Sequence, residues 1–174
     1  YSAVPLSFWG GIDPASGQVI DRHHPLNGAA TAGRILALPG ARGSCTGSSV
    51  MLELLLGGHA PAALILAEPD EILALGVLVA EIMFEVTIPV VAIGSAAFAA
   101  LNGARFARIS DGRVDVFDEA PADGWQPAAL PPLRPPATIA LSDRDRALLG
   151  GGHGAAAAVA IEIILRMAAL QQAT

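Results

Sequence analysis

Residues 33–55 read GRILALPGARGSCTGSSVMLELL. A short apolar run, ILAL at 35–38, stops at Pro39 and Gly40, and a turn rich in Gly, Ser and Thr leads into apolar residues at helical spacing from Val50 onward. Strand, Gly-rich turn and helix in that order form one unit of a mixed α/β domain. The same alternation of short apolar runs and helical stretches, each bounded by Gly, Pro or Asp, extends outward to Pro5 and Phe117. The pattern predicts strands at 6–9, 18–20, 34–38, 63–67, 90–93, 104–109 and 113–117, and helices at about 47–57, 70–84 and 95–101. SDG at 110–112 is a suitable hairpin turn between the last two strands. For the second helix, Glu68 or Asp70 is the expected cap, Pro69 suits the first turn, and Asp70 and Glu71 oppose the positive end of the dipole. Its expected buried stripe is Ile72, Leu75, Val79, Ile82 and Met83.

The 174 residues are 53% hydrophobic and 15% charged, enough apolar material for one core and a short appendage. Net charge is −6, and the ten basic residues, all Arg, are spread along the chain. No basic patch of the kind that neutralises nucleic-acid phosphates is present. No apolar run reaches membrane-spanning length without a charge or proline, and the first residues lack the basic start of a signal peptide, so a soluble cytoplasmic protein is expected. Cys45 is the single cysteine; alone it can form no internal disulfide and hold no metal cluster. The chain begins at Tyr1 rather than Met and stops just after a long apolar segment, so processing or a piece of a longer polypeptide is expected.

Beyond 118 the composition shifts. Six prolines between 119 and 137 exclude helix interiors and central strands, and predict an extended linker. From 138 to 174 a new segment starts: Ser142 with Asp145 resembles a capping box, and GGGHG at 150–154 precedes a helix expected from about 155 to 170. The expected organisation is therefore a domain at 1–118, a Pro-rich linker at 119–137 and a helical segment at 138–174.

The turn at 40–48 has the makings of an anion site. Unpaired N–H groups in a first helical turn, the dipole and hydroxyl donors can hold a carboxylate or phosphate, and Arg42 can add a bidentate clamp. It is neither a P-loop nor a nucleophile elbow, since no Gly-Lys-Ser/Thr follows and Ser44 lacks the G-x-S-x-G spacing. Spacing alone leaves two readings of Ser44, a helix cap and a catalyst. Cys45 reads as a small buried residue ahead of a nucleophile, and His23 and His24 as a turn before Pro25 ahead of active-site groups. His59 and His153 fall in Gly-rich connections and are expected to be solvated, and Glu68, Asp70 and Glu71 read as dipole compensation ahead of a cation site.

Three blocks, PLSFWGGIDPASGQVIDRHHPLNG at 5–28, GRILALPGARGSCTGSSVMLELL at 33–55 and PDEILALGVLVAEIMFEVTIPVVAIG at 69–94, together resemble the small swivelling domain of the aconitase X family. LSDRDRALLGGGHGAAAAVAIEIILRM at 141–167 is similar to the start of that family's large catalytic domain. The resemblance implies a swivelling β/β/α fold, followed by the linker and the helical beginning of the large domain. It also implies a hydro-lyase acting on a small hydroxy acid between the large and small domains. The iron-sulfur cluster it implies is held by cysteines of the large domain, with no metal ligands from this chain.

Family members dehydrate cis-3-hydroxy-L-proline or mevalonate 5-phosphate; fusion to the large domain and the Lys-free, Ala/Arg-rich composition favour the first. A non-catalytic regulatory lid on a large subunit is a third reading. In this family the serine of an R-G-S motif is the proton acceptor, and the motif here is Arg42-Gly43-Ser44. Ser44 is then the expected base, with Arg42, Gly43, Cys45 and Thr46 as substrate-binding positions.

Overall fold

The computed structural model describes residues 1–110 and 113–121. Its centre is a parallel sheet of β3 (Ile35–Leu38), β4 (Ala63–Leu66) and β5 (Val90–Ala92), in that spatial order. Parallel neighbours need crossovers, and α1 (Thr46–Gly57) and α2 (Glu71–Phe84) supply them. The apolar runs ILAL and ALIL follow from burial on both faces. Ala37 and Ile65 join Phe98 and Leu101 in one cluster, covered by Ile35, Ala107, Ile109 and Val114. Leu36, Leu38, Leu64 and Leu66, of opposite parity, are buried on the other face.

Two small antiparallel ribbons flank this sheet in the chain order. β1 (Ile12–Asp13) pairs with β2 (Gln18–Val19), and β6 (Phe106–Ser110) pairs with β7 (Arg113–Phe117). The Ser110↔Arg113 pairing leaves the two-residue connection expected of SDG. A short helix, α3 (Ser95–Ala99), completes the described elements. Most boundaries fall within one or two residues of the expected ones. The linker and helical segment expected at 119–137 and 138–174 lie outside the described residues, apart from 119–121.

The strand expected at 6–9 is an exception. Only Leu6 bridges, in parallel to Ala41, and the chain then turns: Gly10 has φ +70° and Ile12 N–H donates to the Phe8 carbonyl. Two consecutive glycines after Trp9 let the backbone fold back, so the strand begins at Ile12 instead. α2 departs from expectation on two points. Pro69 precedes the cap rather than entering the first turn, and Asp70 is the N-cap, accepting from Ile72 N–H and Leu73 N–H. Its buried face is Leu73, Gly76, Val77, Ala80 and Phe84, while Leu75, Leu78 and Ile82 are exposed. The helix is apolar on every side, so spacing alone could not choose a face; Gly76 does. A Cβ there would lie 2.5 Å from the Ser48 carbonyl oxygen and 3.0 Å from Met51 Cβ, which marks the closest approach of α1 and α2.

Candidate functional site

The turn between β3 and α1 is held from two sides. Arg42 N–H donates to the Leu6 carbonyl at 3.0 Å, tying it to the 6–11 segment. Ala41 N–H donates to Asp70 Oδ2 at 2.6 Å, tying it to the start of α2. Asp70 therefore spends one oxygen on its own helix and the other on the turn, and of the acidic trio it is the member with a structural task at the turn. Glu68 instead accepts from Ser95 Oγ at 2.8 Å. Gly43 has φ +122°, a conformation side chains rarely adopt.

Ser44 is exposed, and its Oγ donates to Thr46 Oγ1 at 3.0 Å. The N-cap of α1 is Cys45, which makes no side-chain cap. Ser48 Oγ turns back to the Cys45 carbonyl at 2.7 Å. Capping therefore does not account for the hydroxyls of Ser44, Thr46 and Ser48, and the first-turn N–H groups of α1 have no side-chain acceptor from the N-cap. Cys45 is exposed, against the expectation of a small buried residue, because it sits at the N-cap, ahead of the first buried residue of α1, Gly47.

Arg42 is 62% exposed and donates through one terminal nitrogen to Asp21 Oδ2 at 3.2 Å. Together with Ser7, Trp9, Gly10, Gly11 and Gly43, the pair lines an open cleft of about 270 Å³. Trp9 is 65% exposed at its rim. The exposed Arg42 guanidinium thus lines the cleft and the Ser44 hydroxyl follows two residues along the same turn, outside the lining, while Gly47 N–H and Ser48 N–H close the start of α1 onto the Ser44 and Cys45 carbonyls.

Sequence reasoning missed Asp21, whose sequence distance from Arg42 gives no local signal, and it missed the cleft-lining Ser7 and Trp9. The DRHHP run did signal the turn that presents Asp21: His23 N–H donates to Asp21 Oδ1 and His24 N–H to the Asp21 carbonyl. His24 is buried in that turn, away from the cleft lining, and His59 is half-buried rather than solvated.

Among the described residues, no group of three or more His, Cys, Asp and Glu side chains is placed to hold a metal ion. With Cys45 as the chain's single cysteine, the described residues do not fit the ligand set of an iron-sulfur cluster. Among the described residues, no helix is long and apolar enough to cross a membrane.

A parallel three-stranded sheet with two crossover helices, flanking antiparallel ribbons and a Gly/Ser/Thr-rich turn at the strand-to-helix junction is the architecture of a swivelling α/β domain. The family model for the aconitase X swivel domain matches residues 1–116, and the chain belongs to that family. It is 53% identical over 176 residues to a cis-3-hydroxy-L-proline dehydratase of Pseudomonas aeruginosa, covering 99% of this chain and 30% of that protein. Identity to the enzyme of the same name from Hypocrea jecorina is 46% over 175 residues, covering 99% of this chain and 29% of the relative. The phosphomevalonate dehydratase small subunit of Methanothermobacter thermautotrophicus is 44% identical over 81 residues, 47% of this chain and 62% of the subunit. The chain thus spans about 30% of the length of the two dehydratases that it matches end to end.

Proposed function

We propose that this chain is the small-domain part of a hydro-lyase that removes water from cis-3-hydroxy-L-proline, with Ser44 as proton acceptor. The observation that carries the reading is the 53% identity over 99% of the chain to a dehydratase of that name. A large catalytic domain or subunit supplies the rest of the site, the leaving-group chemistry and the iron-sulfur cluster that family resemblance implies. The cytoplasm is the proposed location.

Elimination breaks the Cα–H and Cβ–O bonds and forms a Cα=Cβ double bond; the enamine product then tautomerises to a cyclic imine. The difficult part is the proton α to a carboxylate, because the carbanion is poorly stabilised and the base must be accurately placed. A serine hydroxyl acts here only as its alkoxide, which nearby positive charge and N–H donors favour. Arg42 provides the charge, and the positive dipole end of α1 adds to it. Arg42 and the turn at 43–48, including Gly43, Cys45 and Thr46, orient the substrate carboxylate, which also offsets its charge.

The test is an assay of the complete enzyme with cis-3-hydroxy-L-proline. Ser44→Ala is expected to lower kcat by about 10²- to 10⁴-fold, the usual scale for loss of general-base catalysis, with the fold unchanged by circular dichroism. Retention of most turnover would remove Ser44 from the mechanism. A second reading, dehydration of mevalonate 5-phosphate, draws on the 44% identity to a phosphomevalonate dehydratase small subunit. That likeness covers only 47% of the chain, so the proline derivative is preferred. Turnover of the phosphorylated acid and not of the hydroxyproline would reverse the order.

A further inference from the structure

A freely mobile Arg42 would be a poor carboxylate clamp, because its long side chain must be ordered each time a substrate binds. Its neighbour Asp21 is far better fixed. The Asp21 side chain is 16% exposed, and both carboxylate oxygens are engaged, Oδ1 by His23 N–H at 2.9 Å and Oδ2 by Arg42 at 3.2 Å. The turn beneath it is closed by the buried His24 ring. Leu26 N–H donates to Nδ1 at 3.2 Å, so the ring hydrogen sits on Nε2 and is donated to the Val4 carbonyl at 3.0 Å. Asp21 is thus anchored to a rigid turn, while Arg42 reaches it through a single terminal nitrogen. The remaining guanidinium N–H groups are left for another acceptor.

We propose that Asp21 is a positioning residue: it holds the Arg42 guanidinium over the cleft lined by Ser7, Trp9, Gly10, Gly11 and Gly43, so that its free donor edge faces a carboxylate bound beside Ser44. The inference rests on the reading of Arg42 as the carboxylate clamp. Two opposite effects follow from such a pair. Asp21 weakens the field of Arg42, which disfavours an anionic substrate, and it orders the side chain in advance, which favours one. Solvent screens the charge effect at the exposed Arg42 end, while the Asp21 end is mostly buried and held by His23 N–H, so the ordering effect dominates.

Asp21→Asn keeps an acceptor for His23 N–H, so the turn is retained while the ion pair is lost. In the complete enzyme this variant is expected to raise KM for the hydroxy acid about fivefold, with kcat changed less than about twofold. In an Arg42→Gln background the same change is expected to add nothing. An unchanged or lower KM, or effects that simply add, would overturn the proposal; a purely structural role predicts the additive result together with a lower urea midpoint.

A readout independent of turnover uses nitrogen-15 NMR on the 174-residue chain. Rotation of the Arg42 guanidinium about its Cζ–Nε bond is expected to be slow with Asp21 and several-fold faster with Asn. Equal rates would refute the positioning role whatever the substrate. Absence of turnover by the unmodified enzyme would instead refute the functional reading, so the two failures are separable.

Discussion

Asp13 and Glu53 carry opposite pH signatures. The Ser16 hydroxyl, followed by Ala15 N–H, holds the Asp13 carboxyl below its ordinary value of 3.8. An acid lowered on folding stabilises the native state above its unfolded pKa, and that contribution is lost as pH falls through the folded one. Asp13→Asn is therefore expected to lower the urea midpoint at neutral pH, with the gap from the unmodified chain closing below pH 3.8. Glu53 is raised above its ordinary 4.5, first by burial and then by the charge of Asp13. A raised acid favours the folded state at low pH and disfavours it as pH rises through the folded pKa. Glu53→Gln should be more stable than the unmodified chain at neutral pH, an advantage that disappears below pH 4.5 in the same titration. Neither carboxylate lines the cleft, so both changes act on stability rather than on the proposed chemistry.

Between elements, the decisive contacts are the Asp70 cap and the Gly76 crossing. Asp70 bonds Ile72 N–H and Leu73 N–H at the start of α2 and Ala41 N–H in the site turn. Asp70→Ala should cost about 1–2 kcal/mol in urea unfolding, the range for a lost N-cap, and should loosen the turn that bears Arg42. Gly76→Ala forces a Cβ toward the Ser48 carbonyl and should cost about 1–3 kcal/mol, read as a lower midpoint at unchanged slope. These two residues also mark how far the sequence could be read. Asp70 announced itself locally, because an acidic residue before an apolar run is a cap signal, but its second oxygen reaches a turn 29 residues away. Gly76 read as one glycine in a continuous apolar helix, and only the packed partner α1 shows why that face turns inward. Period could not orient α2, since Leu75, Leu78 and Ile82 are as apolar as the residues it buries. The parallel strands were legible because double-sided burial leaves unbroken apolar runs. The turn before α1 was legible as a turn because glycines and hydroxyls mark it, and its partner Asp21 was not, because an ion pair between distant segments has no local signature.

At the scale of the whole molecule, the proposed chemistry needs more than an open cleft. Ser44 is exposed, and the cleft lined by the preceding Arg42 and Gly43 is open. Water at such a site solvates an alkoxide and the substrate carboxylate alike, and it weakens the electrostatic help that Arg42 and the start of α1 can give. Proton abstraction α to a carboxylate therefore needs a second surface that closes over the cleft and excludes solvent. The two dehydratases matched end to end are roughly three times as long as this chain, which leaves ample sequence for that surface. The expected outcome is that the purified chain, assayed alone with cis-3-hydroxy-L-proline, turns over nothing detectable. The same chain joined to the remaining part of the enzyme should be active and sensitive to Ser44→Ala. Substrate-dependent NMR shifts at Arg42 and Ser44 should likewise appear only when that part is present. Turnover by the isolated chain at a rate near that of the complete enzyme would show the site to be self-sufficient. Shifts confined to other faces when the two parts combine would favour a regulatory lid over half of an active site.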